Sequence, residues 1–202
     1  SRALTSTFLS QHLVHSHEPG TWPPGDYYSD GSGGPNSSNA RLRRAATAGL
    51  SFDKELFNNS GHFAPRINRF VASDVPGLQT INRAELLGII LILEAVLPEP
   101  GKWTVIHSDS GYCVNTYAIR GRARALLGTN ADLWQRFFDQ VDRHNYLVIL
   151  KKLTSHLGLE DSICGAISLP DLVGNALVDE LAKSTAVALS LPPDIVSGVH
   201  AV

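Results

Sequence analysis

The pattern of apolar and polar residues along the chain predicts an alternation of strands and helices. Short apolar runs bounded by turn residues predict five strands, at residues 27–32, 45–52, 62–72, 103–109 and 146–153. Runs with a helical period predict helices at residues 82–97, 110–119 and 174–188, and a further helix that follows Asn130. Three strands first, and then strands that alternate with helices, indicate a mixed α/β fold in one domain.

The two ends of the chain lack this periodicity. The segment "HEPGTWPPGD" leads into the first strand, "LSLPPDIVSGVHAV" ends the chain, and both are rich in turn residues. These compositions predict a tail or linker at residues 1–25, a domain at residues 26–188 and a second tail at residues 189–202.

The composition of the 202-residue chain is that of a soluble globular protein, with 43% hydrophobic and 18% charged residues. No apolar run reaches the roughly 18 residues of a membrane span, so no membrane partner is expected. Because the net charge is −2, any nucleic-acid binding must rest on local basic patches. The two cysteines, Cys113 and Cys164, have no metal-site or disulfide spacing, which predicts a reducing, intracellular location. That location is nuclear or cytoplasmic, with a mitochondrial one as the alternative.

Glu85 stands where a solvated acid is not expected. On a helix with 3.6 residues per turn it lines up with an apolar stripe that includes Gly88 and Ile92. Glu94 falls on the opposite face, which a solvated acid would choose. A buried carboxylate is costly unless hydrogen bonds or a cation compensate it. The alternative is a first-turn acid that the helix dipole favours and that reaches water, and helical geometry leaves both interpretations open.

Two further acids end predicted strands. In "YYSDGSGG", Asp30 precedes glycines that let a ligand approach the backbone, although a simple turn would also use Asp-Gly. Asp109 ends an apolar strand before a helix, where an N-cap and a ligand-binding sheet edge are the two interpretations. One such acid is more often structural than catalytic. Asp30, Asp109 and Glu85 together are three acids at such positions, and three favour a metal–carboxylate site.

Four segments follow one another in the order of the signature segments of a known family. They are "YYSDGSGG", "TINRAELLGIILILEA", "VIHSDSGYCV" and "GNALVDELA". Together with the helix "NADLWQRFFDQV" and the strand "LKKLTSHLG", the ordered set resembles the type 1 ribonuclease H family over about residues 27–186. It looks closest to the ribonuclease H domains that accompany retroelement reverse transcriptases.

The resemblance implies a fold, an activity and an active site. The fold is a mixed five-stranded sheet, antiparallel in its first three strands and flanked by helices. The activity is metal-dependent hydrolysis of the RNA strand of RNA–DNA hybrids, an in-line displacement that two Mg²⁺ ions with oxygen ligands suit and for which Mn²⁺ can substitute. The family's Gly-Asn-x-x-x-Asp pattern selects Asp179 over Glu180, and His156 is implied as a proton shuttle or aid to product release. The implied metal ligands are Asp30, Glu85, Asp109 and Asp179.

The implied partners are the RNA–DNA hybrid and a fused or associated reverse transcriptase. Ile81 and Gly111 depart from the family's pattern, because members often carry polar side chains at these positions. The loop between His156 and Asp179 is also unusually long. Recognition is therefore expected to shift onto a few remaining groups. The predicted substrate-binding residues are Gly31, Ser32, Asn82 and Asn175.

Two alternatives stand beside the ribonuclease. The first is a catalytically silent module of the same fold that acts as a scaffold, and the presence of all four acids argues against it. The second is a DNA-cutting relative such as a transposase or resolvase, and "INRAEL" ahead of the helix argues against that.

The remaining charged residues leave open interpretations. Arginine clusters at residues 41–44 and 120–124 are either solvated loop charge or phosphate contacts. His107 lies within a buried strand, which predicts a place in the core or beside the site.

Overall fold

The computed structural model describes residues 20–155, 157–193 and 195–196. Its centre is a five-stranded sheet in the order β3-β2-β1-β4-β5, in which β1, β2 and β3 are antiparallel and β4 and β5 run parallel to β1. This is the sheet that the family resemblance predicts. The strands are β1 (Asp26–Ser32), β2 (Ala46–Phe52), β3 (Ile67–Asp74), β4 (Thr104–Ser108) and β5 (Val148–Lys152).

Helices cover both faces of this sheet. They are α1 (Ile81–Ala95), α2 (Gly111–Asn115), a π-helical segment (Thr116–Arg120), α3 (Gly121–Ala125), α4 (Ala131–Arg143), α5 (Leu159–Ile163) and α6 (Leu169–Ala188). Among the helices in the described part of the chain, none combines the length and the hydropathy needed to cross a membrane.

Two hydrophobic cores lie on opposite faces of the sheet. Tyr27 and Tyr28 are consecutive in β1, so their side chains point to opposite faces, and both are buried. Tyr27 belongs to the core that α1 and α4 form, whereas Tyr28 belongs to the core beneath α6. The sheet is therefore covered by α1 on one face and by α6 on the other, and both helices can bring side chains to the same end of β1.

Two element boundaries and one side chain differ from the sequence-based expectation, and the stretch between His156 and Asp179 that was expected to be a loop contains α5 and the start of α6. β3 begins at Ile67 rather than at residue 62, because the Asn58 side chain accepts hydrogen bonds from the backbone of Ser60 and His62 and folds that stretch into a turn. α6 begins at Leu169 rather than at residue 174, because Ser168 caps it. Glu94 is not solvated as predicted.

Glu94 forms an ion pair between two helices. Its carboxylate oxygens lie 2.5 Å and 2.7 Å from the guanidinium nitrogens of Arg136 in α4. The helical pattern predicts that this face of α1 is exposed to water, but α4 covers it. Glu94 is therefore paired and only 20% exposed.

Part of the predicted N-terminal linker packs against the domain. Trp22 is 6% exposed, stacks on Tyr27 at 5.6 Å between ring centroids, and forms a β-bridge with Val96. The domain boundary at residue 25 stays a prediction, and residues just before it contribute to the core.

Candidate active site

Three of the predicted carboxylates meet at one edge of the sheet. Asp30 lies near the end of β1, Glu85 lies in the first turns of α1, and Asp109 directly follows β4. Because β1 and β4 are parallel neighbours with Ser29 beside Ser108, the two aspartates come together at the carboxyl ends of the strands. One carboxylate oxygen of each of the three acids lies within 4.8 Å of the others.

A close helix–strand approach brings Glu85 to this edge. A Cβ atom on Gly31 would lie 2.7 Å from the Glu85 nitrogen, and one on Gly88 would lie 2.5 Å from the Thr47 hydroxyl. Any larger side chain would push α1 away from β1 and carry Glu85 with it. The sequence analysis assigned Gly31 to substrate approach, and the structure gives it this packing role as well.

The electrostatics of the three-acid group are unfavourable without a cation. Asp30 is 7% exposed, and burial together with the charge of Asp109 raises its pKa to about 8, against the opposing hydrogen bond from the Gly31 amide. Burial also raises the pKa of Glu85, and the charge of Asp109 adds to that effect. Acids packed together in this way repel one another until a cation neutralises them.

Ser110 holds Glu85 in place, a role that the sequence analysis missed. Its hydroxyl donates to Oε2 of Glu85 at 2.5 Å and accepts from the Cys113 amide at 3.2 Å. Ser110 is therefore the N-cap of α2, and the interpretation of Asp109 as that cap is wrong. The available signal was a second capping residue type directly after Asp109.

Lys152 is a second group near the site that the sequence analysis missed. It lies at the end of β5 beside Ser108, and its ammonium donates to the backbone carbonyl of Asp109. Its charge also lowers the pKa of Glu85, partly opposing the effect of burial. No local motif marks such a lysine, because its position follows from the register of β5 on β4.

Asp179 is near the three-acid group but is not part of it. Its Oδ2 atom lies 2.6 Å from the ammonium of Lys183, one turn later in α6. Its charge is nevertheless close enough to raise the pKa of Asp30. The structure thus places the predicted fourth carboxylate beside the cluster and pairs it with a lysine.

The predicted substrate-binding residues surround the same edge. Asn82 is exposed in the first turn of α1, and Asn175 is half-buried one turn before Asp179 in α6. The Gly31 amide donates to Asp30 at 2.7 Å and the Ser32 hydroxyl accepts from the Gly34 amide at 3.2 Å. His156 lies outside the described residues, and its role stays a prediction.

The arginine clusters divide into structural and exposed members. Arg43 donates to the backbone carbonyls of Ser37 and Gln79, which ties down its loop. Arg122 pairs with Asp142 at 3.0 Å, so its charge is compensated on α4. Arg41, Arg120 and Arg124 are exposed.

His107 is a core residue, as expected, and it belongs to a second polar cluster beneath α6. Its Nε2 lies 2.9 Å from Oδ1 of Asp26, and its ring stacks on Tyr28 at 4.6 Å between centroids. Its Nδ1 lies 3.0 Å from Oδ1 of Asp171, although this contact lacks hydrogen-bond geometry. The hydrogen bond to His107 holds the pKa of Asp26 well below its usual range.

Asp171 anchors the start of α6 to the sheet. Its carboxylate accepts from the Tyr28 hydroxyl at 3.0 Å and from the Lys151 ammonium at 3.1 Å. Burial alone would raise its pKa, but the hydrogen bonds from Lys151, Ser168 and Tyr28 together lower it. The sequence analysis singled out neither Asp171 nor Asp26.

A sequence profile of the RNase H family matches residues 26–187. The chain belongs to the RNase H family. This result confirms the family that the order of the sequence motifs predicts, and the RNase H fold is the one described above. Comparison with curated proteins gives no match.

Solved RNase H structures share this fold at low sequence identity. The solution structure of the PFV RNase H domain has a TM-score of 0.58 and 15% identity, and the match covers 80% of this chain and 93% of that one. LC9-RNase H1, a type 1 RNase H with the type 2 active-site motif, has a TM-score of 0.54 and 19% identity, with 82% and 73% covered.

A larger relative contains the same fold as one part. The foamy viral protease–reverse transcriptase in complex with RNA/DNA hybrid has a TM-score of 0.56 and 13% identity. The match covers 86% of this chain and 22% of that one, so the present RNase H chain spans about a fifth of the viral protein.

The residues at the sheet edge fit a hard divalent cation. All three clustered donors are carboxylates, the oxygen ligands that Mg²⁺ and Mn²⁺ prefer. Burial and the charge of Asp109 raise the pKa of Asp30, and a bound cation would offset both effects. The RNase H site could therefore hold a metal, with Asp30, Glu85 and Asp109 as its first candidates.

Proposed function

We propose that the chain is a metal-dependent endonuclease that hydrolyses the RNA strand of RNA–DNA hybrids. The observation that supports this most directly is the meeting of Asp30, Glu85 and Asp109 at the sheet edge of an RNase H fold. The complex of the related viral reverse transcriptase with an RNA/DNA hybrid supports the choice of substrate.

In this proposal, Asp30, Glu85, Asp109 and Asp179 hold two Mg²⁺ ions, for which Mn²⁺ can substitute. Bound metal supplies activation of a water and stabilisation of the leaving oxygen in an in-line phosphodiester displacement. Ser110 keeps the Glu85 carboxylate turned toward the site through its 2.5 Å hydrogen bond. Burial of Asp30 at the strand end keeps competing water away from that ligand.

His156 is proposed to move a proton during turnover. Such a residue assists the chemistry without performing it, so His156→Ala should slow cleavage and leave measurable activity. An activity loss as complete as that of an acid variant would assign the histidine a larger role, and an unchanged rate would remove it from the mechanism.

Hybrid recognition is proposed to rest on groups around the sheet edge. Asn82 is exposed beside Glu85, and Asn175 lies one turn from Asp179, so both can reach a bound backbone. Because Ile81 is 45% exposed and apolar, it adds no polar contact to the nucleic acid there. A hybrid is recognised mainly by groove shape and 2′-hydroxyls, so we expect little sequence specificity. A fused or associated reverse transcriptase is the proposed partner.

The scaffold alternative is less well supported. A module without catalysis gains nothing from a buried carboxylate whose pKa is raised to about 8, because such a group destabilises the fold at neutral pH. Three carboxylates with oxygens within 4.8 Å of one another are better explained by metal binding.

The test uses three labelled substrates: an RNA–DNA hybrid, an RNA duplex and a DNA duplex. Each is incubated with the chain and Mg²⁺, Mn²⁺ or chelator. We expect cutting of the RNA strand of the hybrid, abolished by chelator and restored by either metal. Equal cutting of the DNA duplex would favour the transposase-like alternative, and no cutting under any metal would favour the scaffold.

A further inference from the structure

Lys183 forms an ion pair with Asp179, the fourth carboxylate of the proposed metal site. Asp179 and Lys183 are one turn apart in α6, and their charged atoms lie 2.6 Å from each other. The ammonium of Lys183 therefore neutralises Asp179, the predicted fourth carboxylate.

The backbone of α6 is fixed at the other end of the same helix. A Cβ atom on Gly174 would lie 2.5 Å from ring atoms of Tyr28, so the helix already rests directly on β1. The Asp171 carboxylate is held by Tyr28 at 3.0 Å and by Lys151 at 3.1 Å. Sliding of α6 would break these contacts, so we expect Asp179 to join the three-acid group by rotation of its side chain. That rotation breaks its pair with Lys183.

We infer that Lys183 is a resident counter-ion that competes with divalent metal for Asp179. This inference rests on the proposed function. In the metal-free chain, Lys183 neutralises part of the negative charge at the site and keeps Asp179 apart from the other carboxylates. Metal must displace it, so Lys183 raises the metal concentration at which the fourth carboxylate joins the site. An exposed ion pair of this kind sets the scale at about two- to fivefold in metal affinity.

The experiment titrates Mn²⁺ into the metal-free chain without nucleic acid, followed by calorimetry and by the melting temperature. Lys183→Gln should lower the Mn²⁺ midpoint by about two- to fivefold, whereas Lys183→Arg should stay near the unaltered chain because it keeps the charge. Lys102→Gln is a matched control: Lys102 pairs with Glu99, and the two side chains are 62% and 40% exposed, compared with 61% and 41% for Lys183 and Asp179. The control removes the same charge far from the acids and should not move the midpoint.

A second comparison isolates the partner. In an Asp179→Asn background, Lys183→Gln should no longer lower the midpoint, because the carboxylate for which lysine and metal compete is absent. An unchanged midpoint in the Lys183→Gln chain, or a shift equal to that of Lys102→Gln, would overturn the inference. If the unaltered chain binds Mn²⁺ and cuts hybrids while either of those results is found, the inference alone fails. If the unaltered chain neither binds Mn²⁺ nor cuts hybrids, the proposed function fails with it.

Discussion

Two acid clusters lie on the same pair of strands and are treated in opposite ways. Asp26 begins β1 and contacts His107 of β4, and Asp26 also pairs with Lys54 at 2.6 Å. Its pKa is lowered. Asp30 lies further along β1 and Asp109 directly follows β4, and burial together with the charge of Asp109 raises the pKa of Asp30 to about 8. Lys54 and His107 contact Asp26 directly, whereas lysines near the second cluster offset only part of its negative charge.

This difference separates an anchor from a site. Where imidazole and ammonium groups surround the acids, the carboxylates stabilise the fold and fix α6 on the sheet. Where the acids face one another, they cost stability and gain affinity for a cation from outside. The same substitution, an aspartate to an asparagine, should therefore have opposite consequences in the two clusters.

The largest expected effect is on cleavage. Asp109→Asn removes one charged ligand from the uncompensated cluster and should lower single-turnover cleavage of an RNA–DNA hybrid by about 1,000-fold, the scale of losing one strong electrostatic group in an active site. Hybrid binding should persist, since the proposed substrate-binding residues are unchanged in this variant. Metal-free stability should hold or rise, because one repelling charge is gone.

The control for that experiment is Asp26→Asn in the compensated cluster. It should cut hybrids and lose stability, the reverse of Asp109→Asn. A fully active Asp109→Asn chain would remove the central ligand from the proposed site and make the two clusters equivalent.

The next effect is a dependence of metal-free stability on pH. The folded pKa of Asp30 is about 8, above its ordinary value of 3.8. The stability that the protonated Asp30 carboxyl contributes is therefore fully present below its ordinary pKa of 3.8. It is lost as the pH rises through the folded pKa of about 8. A pKa raised from 3.8 to about 8 corresponds to a loss of at most about 6 kcal/mol between pH 4 and pH 9, measured by urea unfolding in chelator.

Metal and mutation sharpen that result. Mg²⁺ should restore stability at pH 9 more than at pH 5, because it binds the ionised carboxylates. Asp30→Asn should flatten the pH dependence. A chain whose metal-free stability rises steadily over this range would show that the carboxylates at the sheet edge do not repel one another.

The third effect tests the anchor. Asp171→Asn keeps the size of the side chain but leaves the Lys151 ammonium without this charged partner and removes the carboxylate that accepts from the Tyr28 hydroxyl. We expect a loss of about 2 kcal/mol in the free energy of unfolding at pH 7. The pKa of Asp171 is lowered in the fold, so its stabilisation is present above the ordinary value near 3.8 and is lost as the pH falls below it. The difference between the two chains should shrink at pH 3.

Asp142→Asn serves as the comparison for the anchor, because Asp142 is an exposed acid in an ion pair with Arg122. It should change stability little, because solvent screens an exposed ion pair. Equal losses in both variants would mean that the cluster beneath α6 contributes no more than a surface pair.

The smallest effect concerns the orientation of Glu85. Ser110→Ala removes the hydroxyl that binds Oε2 of Glu85 and caps α2. We expect about a fivefold loss of single-turnover cleavage and about 1 kcal/mol of stability, on the scale of one hydrogen bond and one cap. Ser110→Thr keeps both functions and should recover most of the loss. If Thr and Ala behave alike, the hydroxyl does not position Glu85.

Much of the fold and most of the site could be predicted from the sequence. Glu85 was marked by its place on an apolar helix stripe, and Asp30 and Asp109 by their places at strand ends. These signals depend only on residues close to each acid in the chain, so they can be recognised in the sequence. The pairing of Asp179 with Lys183 is also local, since it spans one helical turn, yet nothing in that spacing indicates that the acid stays apart from the others.

The sequence by itself determined the order of strands and helices, the family and the identity of the acids, because periodicity and motif spacing are properties of neighbouring residues. Only the tertiary structure decided which acids meet and which are neutralised. The roles of Ser110, Lys152 and Asp171 depend on the register of β4 and β5 and on the docking of α6, and these bring together residues that are far apart in the chain. The free energy of a carboxylate depends on the charges within a few ångströms of it, and those distances exist only after folding.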